Sequence, residues 1–272
     1  MKNILLKISI KAALEASVKI LEIYNDPNSD FEVERKSDDS PLTKADKVSH
    51  SVISSILAPL GLPILSEEGR AIEYSERATW KRLWVVDPID GTKEFIKKNG
   101  EFTVNIALVD DGEPILGVIY TPVTRELYYG AKGEGAFKVV VKEGCADIEQ
   151  IESSVLRMPC CDGAKEGVCR VVASRSHLTD QTQDFIESLK SNYSEIELLS
   201  KGSSLKICLI AEGSADVYPR YAPTMEWDTA AGDAILRSLD TPKALYDIST
   251  KERLAYNKSD LLNPFFIASD DI

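Results

Sequence analysis

Between Asn3 and Tyr24 the apolar residues Ile4, Leu5, Ile8, Ala12, Leu14, Val18 and Leu21 recur at helical spacing. Lys7, Lys11, Glu15, Lys19 and Glu22 fall between them. That pattern predicts an amphipathic helix, stopped by Asp26-Pro27-Asn28. Phe31 to Pro41 is charged and polar, and reads as a mobile hairpin or loop. A second helix is predicted from Thr43 to Leu57, bounded by Pro59 and Gly61. The period then shortens. Apolar runs at Pro63–Ser66, Leu83–Val86, Phe102–Val109 and Pro114–Tyr120 predict strands, the last two joined through Asp110-Asp111-Gly112. Glu126–Phe137 reads as a further strand pair.

Ile148 to Val168 is the least patterned stretch, and it suggests a boundary between halves 1–150 and 151–272. Beyond it, strands near Val171–Ser174, Glu197–Leu199 and Ala215–Tyr218 alternate with helices from about Thr179, Ser203 and Trp227. Two helices and a sheet followed by this alternation predict a mixed α/β (α+β) protein.

Composition narrows the functional classes. With 43% hydrophobic and 28% charged residues, a chain of 272 residues can bury a large core without staples. Its net charge of -12 argues against wholesale binding of nucleic acid or anionic membranes, which need basic faces. Five cysteines, an odd number with no CxxC, fit reduced thiols better than a disulfide framework. No unbroken apolar run suits a signal peptide or a membrane span, so a cytoplasmic protein is expected.

The richest segment is Trp84-Val85-Val86-Asp87-Pro88-Ile89-Asp90-Gly91-Thr92. A buried strand ending at Asp87 places a carboxylate at the sheet edge, with Pro88 keeping the chain extended. Asp90 suits an N-cap for a short helix opening at Gly91 and Thr92 and closing at Asn99-Gly100, and free amides at a helix start attract phosphate. By itself this motif is also what an ordinary capped helix after a strand looks like. A haloacid-dehalogenase arrangement fits less well, because its two aspartates stand two apart, not three. Glu67-Glu68 after another strand and Asp228 at a helix start add carboxylates at element ends. Such hard oxygen donors favour Mg²⁺ or Mn²⁺ over zinc, and only two histidines are present for an imidazole-based site.

Three motifs together resemble the inositol monophosphatase superfamily: Ser66-Glu67-Glu68, Asp87-Pro88-Ile89-Asp90-Gly91-Thr92, and Trp227-Asp228-Thr229-Ala230-Ala231-Gly232. The resemblance runs from Ser40 to Phe266 and is strongest to the CysQ-type 3'(2'),5'-bisphosphate nucleotidases. It implies a layered αβαβα sandwich and a phosphatase using two or three Mg²⁺ ions and sensitive to lithium. By that resemblance, Glu67, Asp87 and the Ile89 carbonyl would hold the activating metal. Asp87, Asp90 and Asp228 would hold a second, and a weaker third would sit near Glu67. Asp46 would orient Thr92, whose hydroxyl positions the attacking water. Ile89, Asp90, Gly91, Thr92 and Asp228 would also meet the substrate phosphate.

The second half bears on the substrate. Ser174-Arg175-Ser176-His177, Gly202-Ser203-Ser204-Leu205-Lys206 and Asp216-Val217-Tyr218-Pro219-Arg220 resemble nucleotide-binding segments of that branch. Lys206 and Arg220 would neutralise a second phosphate, while His177 and Ser203 would contact nucleotide or phosphate. The expected reaction is hydrolysis of 3'-phosphoadenosine 5'-phosphate to AMP and phosphate. An inositol or sugar monophosphatase and a non-catalytic nucleotide- or metal-binding protein remain alternatives. The partner implied is a small nucleotide bisphosphate and not a nucleic acid, and the sequence carries no signal for peripheral attachment to an inner membrane. One departure is Asp240-Thr241-Pro242, where relatives often carry a Gly-Gly turn.

Overall fold

A computed structural model describes residues 3–36, 40–142, 151, 154–173 and 179–269. Helix α1 (Ile4–Tyr24) starts at Asn3, whose side chain accepts from the Leu5 and Leu6 amides, and α2 (Lys44–Leu57) starts at a Thr43–Asp46 capping box. Between them a hairpin pairs β1 (Glu34–Arg35) with β2 (Pro41–Leu42).

The main sheet has seven strands in sequence order: β3 (Ile64–Ser66), β4 (Arg82–Asp90), β5 (Thr103–Asp110), β6 (Glu113–Thr121), β7 (Glu126–Ala131), β8 (Gly135–Val140) and β9 (Leu156–Arg157). β3 and β4 are parallel and every other neighbour is antiparallel. Short helices α3 (Tyr74–Arg77) and α4 (Thr92–Ile96) flank β4. Both faces of the sheet are covered, which explains why its strands read as continuous apolar runs. Trp84, Val86, Ile106 and Val118 join α1 and α2 in one core, whereas Leu83, Val85, Ala107 and Ile119 point into the other.

The second core is roofed by α6 (Leu205–Glu212) and α7 (Glu226–Arg237). Gly117 on β6 permits this: a Cβ there would lie 2.1 Å from the Ala231 carbonyl of α7. Beyond these helices lie β10 (Val168–Val172) parallel to β11 (Glu195–Leu199), and an antiparallel trio in which β14 (Phe266–Ser269) sits between β12 (Tyr218–Arg220) and β13 (Ala244–Asp247). Helix α5 (Asp180–Leu189) packs outermost through Ile186, against Val171, Val217 and Ile267. Helix pair, sheet, helix pair, smaller sheets and outer helix make the αβαβα order.

Several expected boundaries move. The strand expected to end at Asp87 runs on to Asp90, and the helix expected to reach Asn99 is the five-residue α4. Asp90 is not its cap. Gly91 occupies that position at φ 94°, where any Cβ would also crowd Glu101 and Ser203. The expected strand at Ala215–Tyr218 lies two to three residues later, because Val217 makes only a lone bridge to Val171. Strands β13 and β14 and helix α3 lacked a clear sequence pattern. Among the described residues no helix is long and apolar enough to cross a membrane.

Candidate metal centre and its cavity

The β4–β5 pairing explains how two aspartates three residues apart can work together. On a regular strand, positions three apart face opposite sides of the sheet. Here Asp87 pairs with Asn105 and Asp90 with Thr103, so one extra residue is accommodated on β4. Pro88 lies in that bulge, where its missing N–H costs no ladder bond. Its carbonyl accepts from Ser49 of α2, and the Ile89 amide donates to Asp87 Oδ1 at 3.0 Å. The shift returns Asp90 to the side of Asp87.

Asp228, at the third position of α7, completes the group. Ligand oxygens of Asp87, Asp90 and Asp228 lie within 4.8 Å of one another, the sole such metal-ligand group among the described residues. The Met225 amide donates to Asp228 Oδ2 at 2.7 Å, which ties the carboxylate to the helix start. Asp87 is 1% exposed. Burial, then the negative charges of Glu67, Asp90 and Asp228, raise its pKa well above the ordinary aspartate range. Asp228 is raised in the same way by burial and Asp90, against the opposing Met225 amide. One buried and two half-buried carboxylates held this close repel one another, and their hard oxygen donors fit a small divalent cation.

Glu67 adjoins the trio through a side-chain hydrogen bond shared with Asp87. Lys36 of the hairpin reaches Glu67 Oε1 at 2.7 Å and Glu68 Oε1 at 2.5 Å, so a built-in cation holds this acidic pair. Burial opposes the charge on Lys36, but the two glutamates outweigh it and its pKa rises. Nothing in the local pattern singles out Lys36.

On the other side, Asp46 is 2% exposed. Thr92 Oγ1 lies 3.2 Å from Asp46 Oδ1 and 3.4 Å from the Ile89 carbonyl. Burial raises the Asp46 pKa, opposed by hydrogen bonds from Thr43 and Thr92. A polar chain missed in the sequence supports the trio from below. Thr103 donates to Asn105, Asn105 Nδ2 to Ser204 Oγ at 2.8 Å, and Ser204 Oγ lies 2.7 Å from Asp90 Oδ2. Asn105 was detectable as a lone amide within the apolar run Val104–Val109, and Ser204 only through the fold.

A cavity of about 540 Å³ opens beside the aspartates and is lined by Asp90, Gly91, Ser203, Arg220 and Asp228. Lys206 also lines it, but its ammonium donates to the Ser203 carbonyl at 2.6 Å and sits over the Tyr218 ring. Burial, partly offset by Asp90, lowers the Lys206 pKa to about 8. Arg220 reaches the Pro223 carbonyl through Nη2, and its buried Nε makes no hydrogen bond. His177 lies outside the described residues. Cys160, Cys161, Cys169 and Cys208 are free thiols, in keeping with the expected reduced state.

The model of the inositol monophosphatase family matches residues 1–240. The chain belongs to that family. It is 46% identical to the 3'(2'),5'-bisphosphate nucleotidase CysQ of Salmonella typhimurium over 82% of this chain and 83% of that one. The CysQ of Escherichia coli K12 is 44% identical over the same shares. Among solved structures, CysQ from Bacteroides thetaiotaomicron superposes with a TM-score of 0.86 at 52% identity, covering 96% of this chain and 95% of its own. A Thermotoga maritima inositol monophosphatase gives a TM-score of 0.71 at 25% identity, with 96% and 90% covered. Family membership makes the protein a metal-dependent phosphatase, and the acidic trio is where its chain can hold a metal.

Proposed function

We propose that this protein is a Mg²⁺-dependent 3'(2'),5'-bisphosphate nucleotidase, hydrolysing the 3'-phosphate of 3'-phosphoadenosine 5'-phosphate to give AMP and phosphate. One observation carries the reading. Carboxylates from two distant segments meet at one end of a cavity whose remaining walls carry cations, in a chain 46% identical to a nucleotidase of that name.

Asp87, Asp90, Asp228 and the Ile89 carbonyl would hold the ions, and Glu67 would join them once its ion pair with Lys36 opens. Bound Mg²⁺ supplies charge neutralisation of the phosphate and a more acidic water. The chain supplies the rest. Asp46 accepts the Thr92 hydroxyl proton, so the Thr92 Oγ1 lone pairs are free to accept from the attacking water and orient it. Ser204 and Asn105 fix the Asp90 carboxylate, so the acceptor geometry is set before substrate arrives. The water oxygen bonds to phosphorus, the P–O3' bond breaks, and the departing 3' oxygen takes up a proton. Gly91 leaves its backbone open to the phosphate. Lys206, already engaged with Ser203, shapes the wall more than it offers a free charge, whereas the Arg220 guanidinium, which also lines the cavity, would meet the substrate.

Phosphate release from 3'-phosphoadenosine 5'-phosphate, 2'-AMP and inositol 1-phosphate, with Mg²⁺ and with chelator, tests the assignment. Mg²⁺-dependent turnover with the bisphosphate preferred is expected. Preference for inositol phosphate would replace the reading with that of a monophosphatase, and no turnover of any ester would replace it with a binding role.

A further inference from the structure

The cavity is far from electrically uniform. Apart from Asp90 and Asp228 of the metal corner, its charged lining residues are Lys93, Lys97, Lys201, Lys206 and Arg220 against Glu94 and Glu101. This cationic excess stands out in a chain of net charge -12. Lys206 is largely committed to backbone carbonyls. The rim lysines differ. Lys93 and Lys97 are exposed, and neither has an ion-pair partner among the described residues. They stack one helical turn apart, the Lys97 amide donating to the Lys93 carbonyl at 3.1 Å, and both line the same cavity.

Lys201 lines the same cavity, and the wall that carries it is closely fitted. The Gly202 amide donates to Glu101 Oε2 at 3.0 Å, and a Cβ on Gly202 would lie 2.7 Å from the Glu101 carbonyl. The loop bearing Lys201 is thereby fastened beside the segment that follows α4, while Glu101 engages Lys201 only loosely, at 3.8 Å. The first helical residue of α4 comes two positions after Asp90, so Lys93 and Lys97 follow directly on the strand that ends in a metal-corner carboxylate.

We propose that Lys93, Lys97 and Lys201 form a cationic collar that grips the phosphate that is not hydrolysed, and that this collar makes the enzyme prefer bisphosphates to monophosphates. The inference rests on the nucleotidase reading and adds to it the residues that enforce selectivity. A bisphosphate that places one phosphate at the metal corner must carry its second charged group into the remaining cavity. There, exposed ammonium groups supply charge-assisted hydrogen bonds. A monophosphate presents nothing to the collar. Because exposed lysines act largely through long-range attraction, the effect weakens with salt.

The test is the Lys93→Gln/Lys97→Gln double variant, assayed on 3'-phosphoadenosine 5'-phosphate and on 2'-AMP at low and moderate ionic strength. Both positions are exposed, so the variant should fold, and an unchanged melting profile checks this. Lys98→Gln serves as the charge control, since Lys98 lies over the Tyr24 and Phe31 rings and does not line the cavity. The expected result is a fall of about tenfold or more in kcat/KM for the bisphosphate, carried by KM. For 2'-AMP and for Lys98→Gln the change should stay within about twofold, and salt should narrow the gap between parent and variant. An equal loss on both substrates, a loss confined to kcat, or no loss would overturn the collar while the nucleotidase reading stands. Absence of bisphosphate turnover by the unaltered enzyme would overturn both.

Discussion

Asp87→Asn separates the two roles that a buried carboxylate plays at this centre. The side chain is 1% exposed and its ligand oxygen lies within 4.8 Å of those of Asp90 and Asp228. At an effective dielectric of about 20, each fully ionised pair at that separation repels by about 3 kcal/mol. The metal-free protein escapes part of this by retaining a proton. Holding it at neutral pH costs at most about 4 kcal/mol, the distance from an ordinary aspartate pKa. Asparagine is nearly isosteric and still accepts from the Ile89 amide. Removing the charge should therefore stabilise the metal-free protein by about 1–3 kcal/mol, or about 3–8 °C in Tm. It should also abolish the Tm increase that Mg²⁺ gives the parent, and lower kcat by about a thousandfold or more. Calorimetric melts with chelator and with Mg²⁺, alongside phosphate release, read all three quantities. A variant that melts lower than the parent without metal, or that keeps its Mg²⁺ response and turnover, would refute the reasoning.

The remaining expectations follow from the same packing and charge. The pKa values of Asp87, Asp228 and Asp46 are raised on folding, so their contribution to stability is complete below the unfolded pKa near about 4 and is lost as pH rises through the folded values. The metal-free Tm should accordingly fall from about pH 5 to pH 8, and Mg²⁺ should flatten that slope; a metal-free Tm rising over the range would contradict the assigned shifts. Gly117→Ala places a methyl 2.1 Å from the Ala231 carbonyl and should cost about 3 kcal/mol or more, measured by urea melts. Since α7 also carries Asp228, that variant should respond less to Mg²⁺. Thr92→Val removes the hydroxyl shared between Asp46 and the Ile89 carbonyl and should lower kcat about a hundredfold, with Thr92→Ser restoring most of it. Lys138→Met removes the cation that Glu212 meets at 2.6 Å and Glu126 at 3.0 Å, leaves Glu212 only the Tyr128 and Ser214 hydroxyls, and should cost about 3 kcal/mol while leaving kcat/KM intact well below the melting temperature.

Much of this protein is written in local pattern. The stripe of α1, the Thr43 cap of α2, the doubly covered strand runs and the acidic motifs each depend on residues adjacent in the chain, so they are legible there. Their joint resemblance to one family supplied the layered fold and the reaction class before any contact was known. Folding settles what depends on contacts between distant segments. The spacing of Asp87 and Asp90 suggested an N-cap, and only the bulge formed against β5 turns both toward Asp228. That turn depends on the register between strands, which no window of sequence contains. Lys36 is one more lysine in a polar segment until folding lays it on Glu67 and Glu68. Lys206 looked like a free cation because its motif carries no record of burial, and in the fold the Ser203 carbonyl and the Tyr218 ring claim it. Lys93 and Lys97 went unremarked for the opposite reason. A lysine pair one helical turn apart is ordinary on any surface, and it acquires meaning only from the cavity that the second half of the chain builds in front of it.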